Sequence, residues 1–257
     1  MRLATWNVNG LRARLDFVFH WLSSRQPDVV GLQELKVSED QFPYSKFEAE
    51  GYHTVVHAQK AWNGVAILSR ECPKIEQKGL PGQEDFGARL VSASIGSLSF
   101  ATVYCPNGKQ VGHADFFRKL HWFESLADYL RQKCLAEDPI ILCGDFNICP
   151  TVLDTWNEEE LFGRIFHTEE ERRCFNRLVE WGLVDVFRKI HPQSREFSWW
   201  DYRAGSFHRN LGLRIDLFLA TRSVMERVQH VEIDREYRKK KEGLTASDHA
   251  PVLVDLR

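Results

Sequence analysis

The sequence predicts an α/β layered sandwich: two mixed β-sheets packed face to face, helices on the outer faces, and loops at one end able to carry a site. Three observations predict it. Short apolar runs of strand length recur along the chain, helical periodicities alternate with some of them, and the stretch 52–104 is strand after strand joined by short turns. The last feature marks a mixed or antiparallel sheet rather than a doubly wound parallel one.

Taken in order, strands are expected over 3–6, 29–33, 53–56, 65–69, 90–95, 98–104, 140–143, 214–220 and 252–256. The clearest helices are 11–24, where Leu11, Leu15, Val18, Phe19 and Leu22 share a face, 114–134 (Phe117, Leu120, Trp122, Leu126, Leu130) and 168–182 (Phe175, Leu178, Val179). No low-complexity tract, Pro/Gly-rich linker or long repeat divides the chain, so one domain over 1–257 is expected.

Composition narrows the class. A hydrophobic fraction of 43% with eight Trp and seventeen Phe provides for a sizeable core, while 27% charged residues keep the surface soluble. The start, "MRLATWNVNGLRAR", lacks a basic region followed by an apolar stretch, and no long uncharged apolar run follows, so a cytoplasmic, unprocessed protein with no membrane partner is expected. Cys72, Cys105, Cys134, Cys143, Cys149 and Cys174 show no CxxC spacing and read as reduced packing residues, with neither disulfides nor structural zinc expected. A net charge of −2 argues against holding nucleic acid by charge excess alone. The basic run "REYRKKKEG", 235–243, reads as a solvated loop before the last strand, with a nucleic-acid backbone contact as the alternative.

Chemistry is suggested by how the strands end. "LATW" runs into Asn7 and Asn9, "VVGLQ" into Glu34 and Lys36, "FATVY" ends at Tyr104 before Asn107, and "IILCG" runs into Asp145 and Asn147. Just before the last strand stand Asp248 and His249. Singly, each could be a turn former, a cap or a satisfied histidine. Asp216 is harder to dismiss: it sits between Ile215 and Leu217, and an unpaired buried carboxylate costs about 3–5 kcal/mol, so it needs a partner. If the strand ends converge, the set is rich in oxygen donors and free of thiolate, which suits a hard cation such as Mg²⁺ or Mn²⁺. The pair His53 and His57 lies in a strand without a metalloprotease glutamate and reads as structural. No GxSxG elbow, GxxxxGK[ST] loop or GxGxxG fingerprint occurs, which sets aside serine hydrolases, P-loop nucleotidases and dinucleotide oxidoreductases. Metal-assisted hydrolysis of a phosphate ester is what remains.

The segments "TWNVNGLRAR", "PDVVGLQELK", "YCPNGK", "GDFNICP", "SWWDYR", "GLRIDLFLA" and "SDHAPV", in this order and across 1–257, closely resemble the exonuclease III and AP endonuclease family of the endonuclease/exonuclease/phosphatase superfamily. The resemblance implies a four-layered α/β sandwich and Mg²⁺-dependent cleavage of duplex DNA 5′ to an abasic site, with Mn²⁺ as a substitute. It also implies 3′ to 5′ exonuclease and 3′-phosphatase activities on blocked 3′ ends, and a monomer. By motif, Glu34 resembles the metal ligand, with Asn7, Asn9 and Asp248 about the ion. Asp145 resembles the residue that orients or deprotonates the attacking water, with His249 as the rival for that task. Asn147, Tyr104 and Asn107 resemble donors to the phosphate, and Asp216 the carboxylate paired with His249. Trp199, Leu213 and Ile215 match an apolar pocket for a flipped abasic sugar. Lys36, Arg89, Lys109 and Arg214 are the weaker matches, as contacts to backbone phosphates. Asn107 stands where a Gln is familiar, as in the AP-endonuclease branch, and 151–167 is shorter than its counterpart.

Two other classes remain open at this point. A catalytically inactive relative that binds RNA or a protein regulator would not need Glu34, Asp145, Asn147, Asp216 and His249 together. A phosphatase for small molecules or lipid headgroups should lack the Trp199 pocket.

Overall fold

A computed structural model describes residues 1–257. Twelve strands follow in chain order: β1 (Arg2–Asn7), β2 (Val29–Gln33), β3 (His53–His57), β4 (Val65–Ser69), β5 (Lys74–Lys78), β6 (Leu90–Ile95), β7 (Leu98–Tyr104), β8 (Ile140–Asp145), β9 (Val184–Asp185), β10 (Asp216–Ala220), β11 (Val228–Ile233) and β12 (Val252–Leu256). The helices are α1 (Leu11–Arg25), α2 (Tyr44–Ala49), α3 (Ala114–Lys133), α4 (Glu158–Leu161), α5 (Glu169–Trp181), α6 (Val186–Ile190) and α7 (Arg222–Met225).

Two mixed six-stranded sheets result, ordered β11-β12-β1-β2-β4-β3 and β5-β6-β7-β8-β10-β9. Each has one parallel pair at its centre, β1 with β2 and β7 with β8, and antiparallel neighbours elsewhere. Alternation along the central strands builds the layers, because successive side chains point to opposite faces. Leu3, Val29, Ile141, Cys143 and Phe218 fill the space between the sheets. Ala4, Val30 and Leu32 face outward beneath α1 with Phe17, Trp21 and Leu22, and Leu142, Leu217 and Leu219 face outward beneath α3 and α5 with Trp122, Phe123 and Leu178. The four-layered α/β sandwich is the observed architecture.

Two glycines are required by close approach. A Cβ on Gly31 of β2 would lie 2.6 Å from the Thr102 hydroxyl of β7, so glycine lets the sheets touch there. Gly144 has φ +140°, and a Cβ there would lie 2.0 Å from the Val103 carbonyl, so only glycine brings β8 to Asp145 along this path.

The structure departs from the expected elements in identifiable ways. Strands 74–78, 184–185 and 228–233 carry no sequence signal: β5 and β11 are sheet edges with largely exposed residues, and β9 is two residues long, so none shows an apolar run. The strand expected over 214–220 begins at Asp216. In α3 Trp122, Leu126 and Leu130 are buried as expected, together with Phe116, Lys119, Phe123 and Ala127, but Phe117 is 60% exposed. Val179 likewise points outward from α5. The run 235–243 is not simply a solvated loop, since Arg235–Arg238 makes a 3-10 turn that buries Tyr237 and Arg238. All six cysteines are free thiols, and four of them are buried.

Candidate active site

Parallel pairing puts the C-terminal ends of β1, β2, β7 and β8 at one edge of the sandwich, and antiparallel pairing brings the N-terminal ends of β10 and β12 to the same edge. The side chains singled out at strand ends therefore meet. Asn7, fully buried, is the joint between the sheets: its Nδ2 donates to Glu34 Oε1 at 2.9 Å and to Asp145 Oδ2 at 2.8 Å. Its Oδ1 accepts from the Asn9 backbone at 2.9 Å, which helps hold Asn9 at φ 45°. Asn9 in turn donates to Asp248 Oδ1 at 2.9 Å and accepts from Lys36 Nζ at 2.6 Å.

Charges are arranged around this amide network. Lys36 Nζ lies 2.8 Å from Glu34 Oε2; burial works against ionisation of Glu34, but Lys36 and Asn7 outweigh it and hold its pKa below the usual value. Asp145 accepts from the Asn147 backbone at 2.9 Å, yet burial, with Asp216 and Glu34 nearby, pushes its pKa up to about 7. His249 places Nδ1 2.8 Å from Asp216 Oδ2 and Nε2 3.9 Å from Asp145 Oδ2. Burial disfavours its charged form, but Asp216, Asp248 and Asp145 prevail and raise its pKa to about 10, so the imidazole is a cation at neutral pH with Nε2–H turned toward the site. Asp248 accepts from Trp199 Nε1 at 3.0 Å; burial is again outweighed, by His249 and by these donors, and its pKa is lowered.

Four carboxylates thus face one ammonium and one imidazolium in a largely buried cluster; Glu34 and Asp145 bring one carboxylate oxygen each, and His249 a ring nitrogen, within 4.8 Å of one another, of which the oxygens alone are free to ligate. Negative charge in excess, carried by hard oxygen donors, is what a divalent cation of the Mg²⁺ or Mn²⁺ type would neutralise, so the residues fit such an ion. Tyr104 stands beside them; burial and the Glu34 and Asp145 charges push its phenol well above its ordinary pKa, so it is a neutral donor. Tyr104, Asn107, Arg89 and Lys109 share a cleft of about 460 Å³ with exposed Trp62. Asn147 is held at φ 50°, and its amide donates to the Cys105 carbonyl at 2.9 Å.

Trp199, Leu213 and Ile215 come together with Cys149 in one apolar cluster, flanked by Trp156, Leu161 and Phe166 of the 151–167 segment. Trp199 and Leu213 exchange backbone hydrogen bonds, both at 2.9 Å.

The expected phosphate contacts fare unevenly. Arg214 is corrected: it is 1% exposed and locked by ion pairs to Asp154 at 2.6 Å and Asp185 at 2.7 Å, because it lies just before β10 where the chain is covered by α6 and the 151–155 turn. It cannot reach a phosphate at the surface. Arg89 donates to the carbonyls of Phe86 and Tyr104 at 3.0 and 3.1 Å, Lys36 is turned inward, and Lys109 is exposed beside Asp115 at 2.6 Å.

Three supporting residues escaped the sequence reading. Ser198 donates to Asp216 Oδ2 at 2.6 Å, and Ser247 donates to the Asn7 carbonyl at 2.7 Å while accepting from the His249 backbone. Lys119 is fully buried, paired with Glu171, and donates to the carbonyls of Asn147 at 2.7 Å and Asn107 at 3.3 Å. The serines carried no signal beyond adjacency to Trp199 and Asp248; Lys119 was detectable only as a cation inside an apolar helical stripe.

The family model for the Endonuclease/Exonuclease/phosphatase family matches residues 4–249. The exodeoxyribonuclease III of Haemophilus influenzae is 37% identical over 270 residues, covering 100% of both chains. Among solved structures, a 3′ phosphatase from Neisseria bound to a product DNA hairpin superposes with TM-score 0.95 at 36% identity, covering 100% of this chain and 99% of that one. An AP endonuclease from Archaeoglobus fulgidus gives 0.94 at 35%, with the same coverage. With a family match over nearly its whole length and full-length relatives above 30% identity, this chain belongs to the Endonuclease/Exonuclease/phosphatase family.

Proposed function

We propose that this protein is a DNA repair nuclease that hydrolyses phosphodiesters 5′ to abasic sites in duplex DNA, with 3′ to 5′ exonuclease and 3′-phosphatase activity on blocked 3′ ends. The observation that carries the reading is the Asn7 amide spanning Glu34 and Asp145 beside the His249–Asp216 pair, one constellation of acid, amide and imidazolium drawn from both sheets. The activities named for the Haemophilus, Neisseria and Archaeoglobus proteins support the same substrate.

Glu34 would hold a Mg²⁺ ion, or Mn²⁺ in its place, with Asn7, Asn9 and Asp248 around it. When bound, the cation offsets negative charge on the phosphoryl group and its leaving oxygen. Asp145 orients the attacking water and takes its proton, a task its elevated pKa suits. His249, charged and fixed by Asp216, donates from Nε2 to a non-bridging phosphate oxygen, and Asn147, Tyr104 and Asn107 add neutral donors. Trp199, Leu213 and Ile215 offer an apolar seat to a deoxyribose without its base.

The complete catalytic set counts against an inactive relative, and the apolar cluster beside it counts against a small-molecule phosphatase. The residues named come from both sheets of one sandwich, which supports a single domain, and action as a monomer in the cytoplasm belongs to the same reading. The test is a duplex carrying one abasic analogue, incubated with Mg²⁺: the strand is nicked 5′ to the lesion, and EDTA abolishes the reaction. A duplex left intact by folded protein overturns the assignment.

A further inference from the structure

Two loops that the catalytic reading leaves unused, 201–212 and 234–243, pack together beside Asp248. Arginines and aromatic rings alternate through the contact. The Arg235 guanidinium lies 4.6 Å from the Phe207 ring centroid and 5.4 Å from that of Trp200, while Arg238 lies 5.1 Å from Phe207 and 5.0 Å from Tyr202. Such stacking over several rings fixes both guanidiniums. Arg238 also ties the assembly to the site, its Nε donating to the Asp248 carbonyl at 3.0 Å and its Nη2 to the Trp200 carbonyl at 3.2 Å. On the other side Tyr202 accepts from Arg14 Nη2 at 3.0 Å, and Arg14 donates to the Asn9 carbonyl. The two loops are therefore a shelf tied to Asn9 and Asp248, which hydrogen-bond each other at 2.9 Å beside the candidate cation site.

The outer face of this shelf is basic. Residues 234–242 hold five Lys or Arg against three acids, in a chain whose net charge is −2. Of those acids, Asp234 is turned inward to Arg25 and Trp21, Glu236 is shared between Lys239 and Lys241, and exposed Glu242 lies 3.8 Å from His20 Nε2, so the face keeps a small positive excess. Lys240, exposed, has no acidic partner, and exposed His208 and Lys239 line the same depression.

We propose that this shelf binds the phosphate backbone of duplex DNA flanking the reacting phosphate, an inference that rests on the nuclease reading. A chain with negative net charge draws in a polyanion only through a local basic surface. The shelf is such a surface, held in fixed relation to the residues that take the phosphate. Exposed pairs such as Lys239–Glu236 are worth little and exchange readily for phosphate. Contacts of this kind carry no sequence information, which suits an enzyme that acts wherever damage occurs.

The test compares wild type with the triple variant Lys239→Gln/Lys240→Gln/Lys241→Gln and with Lys240→Glu, each confirmed folded by thermal melting. Steady-state nicking of an abasic duplex is measured at several salt concentrations. In the triple variant KM is expected to rise about tenfold or more with kcat at saturating DNA retained, and the slope of log affinity against log salt to shrink by about two to three. Lys240→Glu should shift KM in the same direction. The difference from wild type should vanish on a duplex trimmed close to the lesion on one side, where wild type loses the same contact. Wild-type KM and salt slope in both variants overturn the shelf and leave the nuclease reading standing. A deficit that survives trimming on either side also overturns it, assigning the lysines to the reacting phosphate. Wild-type protein that neither binds nor nicks the duplex overturns both readings.

Discussion

Asp145 and Asp216 stand directly opposite each other in the antiparallel ladder of β8 and β10, each about 1% exposed. Like charges in that relation repel, and burial strengthens the repulsion. His249 resolves it, with Nδ1 on Asp216 and Nε2 facing Asp145, so the three side chains behave as one unit.

Breaking that unit at Asp216 tests it. Asp216→Asn keeps the shape but removes the charge that most favours the imidazolium, leaving burial to lower the His249 pKa from its native value of about 10. Nicking of an abasic duplex at neutral pH is expected to fall by roughly 10²-fold. The alkaline limb of the pH–rate profile should move to lower pH, and an unmoved limb would show that Asp216 does not hold the proton on His249.

The cation requirement should localise to Glu34. EDTA is expected to abolish nicking and added Mg²⁺ to restore it. In Glu34→Gln the Mg²⁺ concentration for half-maximal rate should rise by roughly tenfold or more. Wild-type metal dependence in that variant would take Glu34 out of the cation's shell.

Lys119 and Glu171 are both fully buried, so removing one charge strands the other. Glu171→Gln is expected to cost about 3–5 kcal/mol in denaturant unfolding, and Lys119→Met/Glu171→Leu to recover part of it, the remainder being the Thr168 amide and hydroxyl that Glu171 also accepts from. Because Lys119 also holds the carbonyls of Asn107 and Asn147, the recovered double variant should still nick roughly ten- to a hundredfold more slowly. Full activity there would mean that the two loops keep their places without the lysine.

Acid sensitivity should trace in part to Asp154. Burial alone would raise its pKa, but Arg214 and Arg188 outweigh burial and hold it below the usual value. A depressed native pKa stabilises the fold above the unfolded pKa of about 4, and that contribution is lost as pH falls through the native value. The stability gap between wild type and Asp154→Asn should therefore be full above about pH 5 and narrow steadily below it. A gap constant down to about pH 2 would contradict the linkage.

Read without coordinates, the chain already determined a good deal. Continuous apolar runs disclosed the central strands, since each must bury both faces, and the ordered motifs identified the family and the polar residues at the strand ends. The edge strands β5 and β11 stayed hidden because an exposed edge needs no apolar run. Partnership was decided only by the tertiary structure. Asn7 meets Asp145 across 138 residues because two sheets stack in a particular register, and no local pattern encodes that register. The same reason separates the arginines and lysines: Arg214, expected at a phosphate, is sealed among Asp154 and Asp185, while Lys119, one cation in an apolar stripe, reaches the backbone behind Asn107 and Asn147. Whether a charged side chain faces solvent or counter-charge depends on what folds over it, and that is a long-range property of the chain.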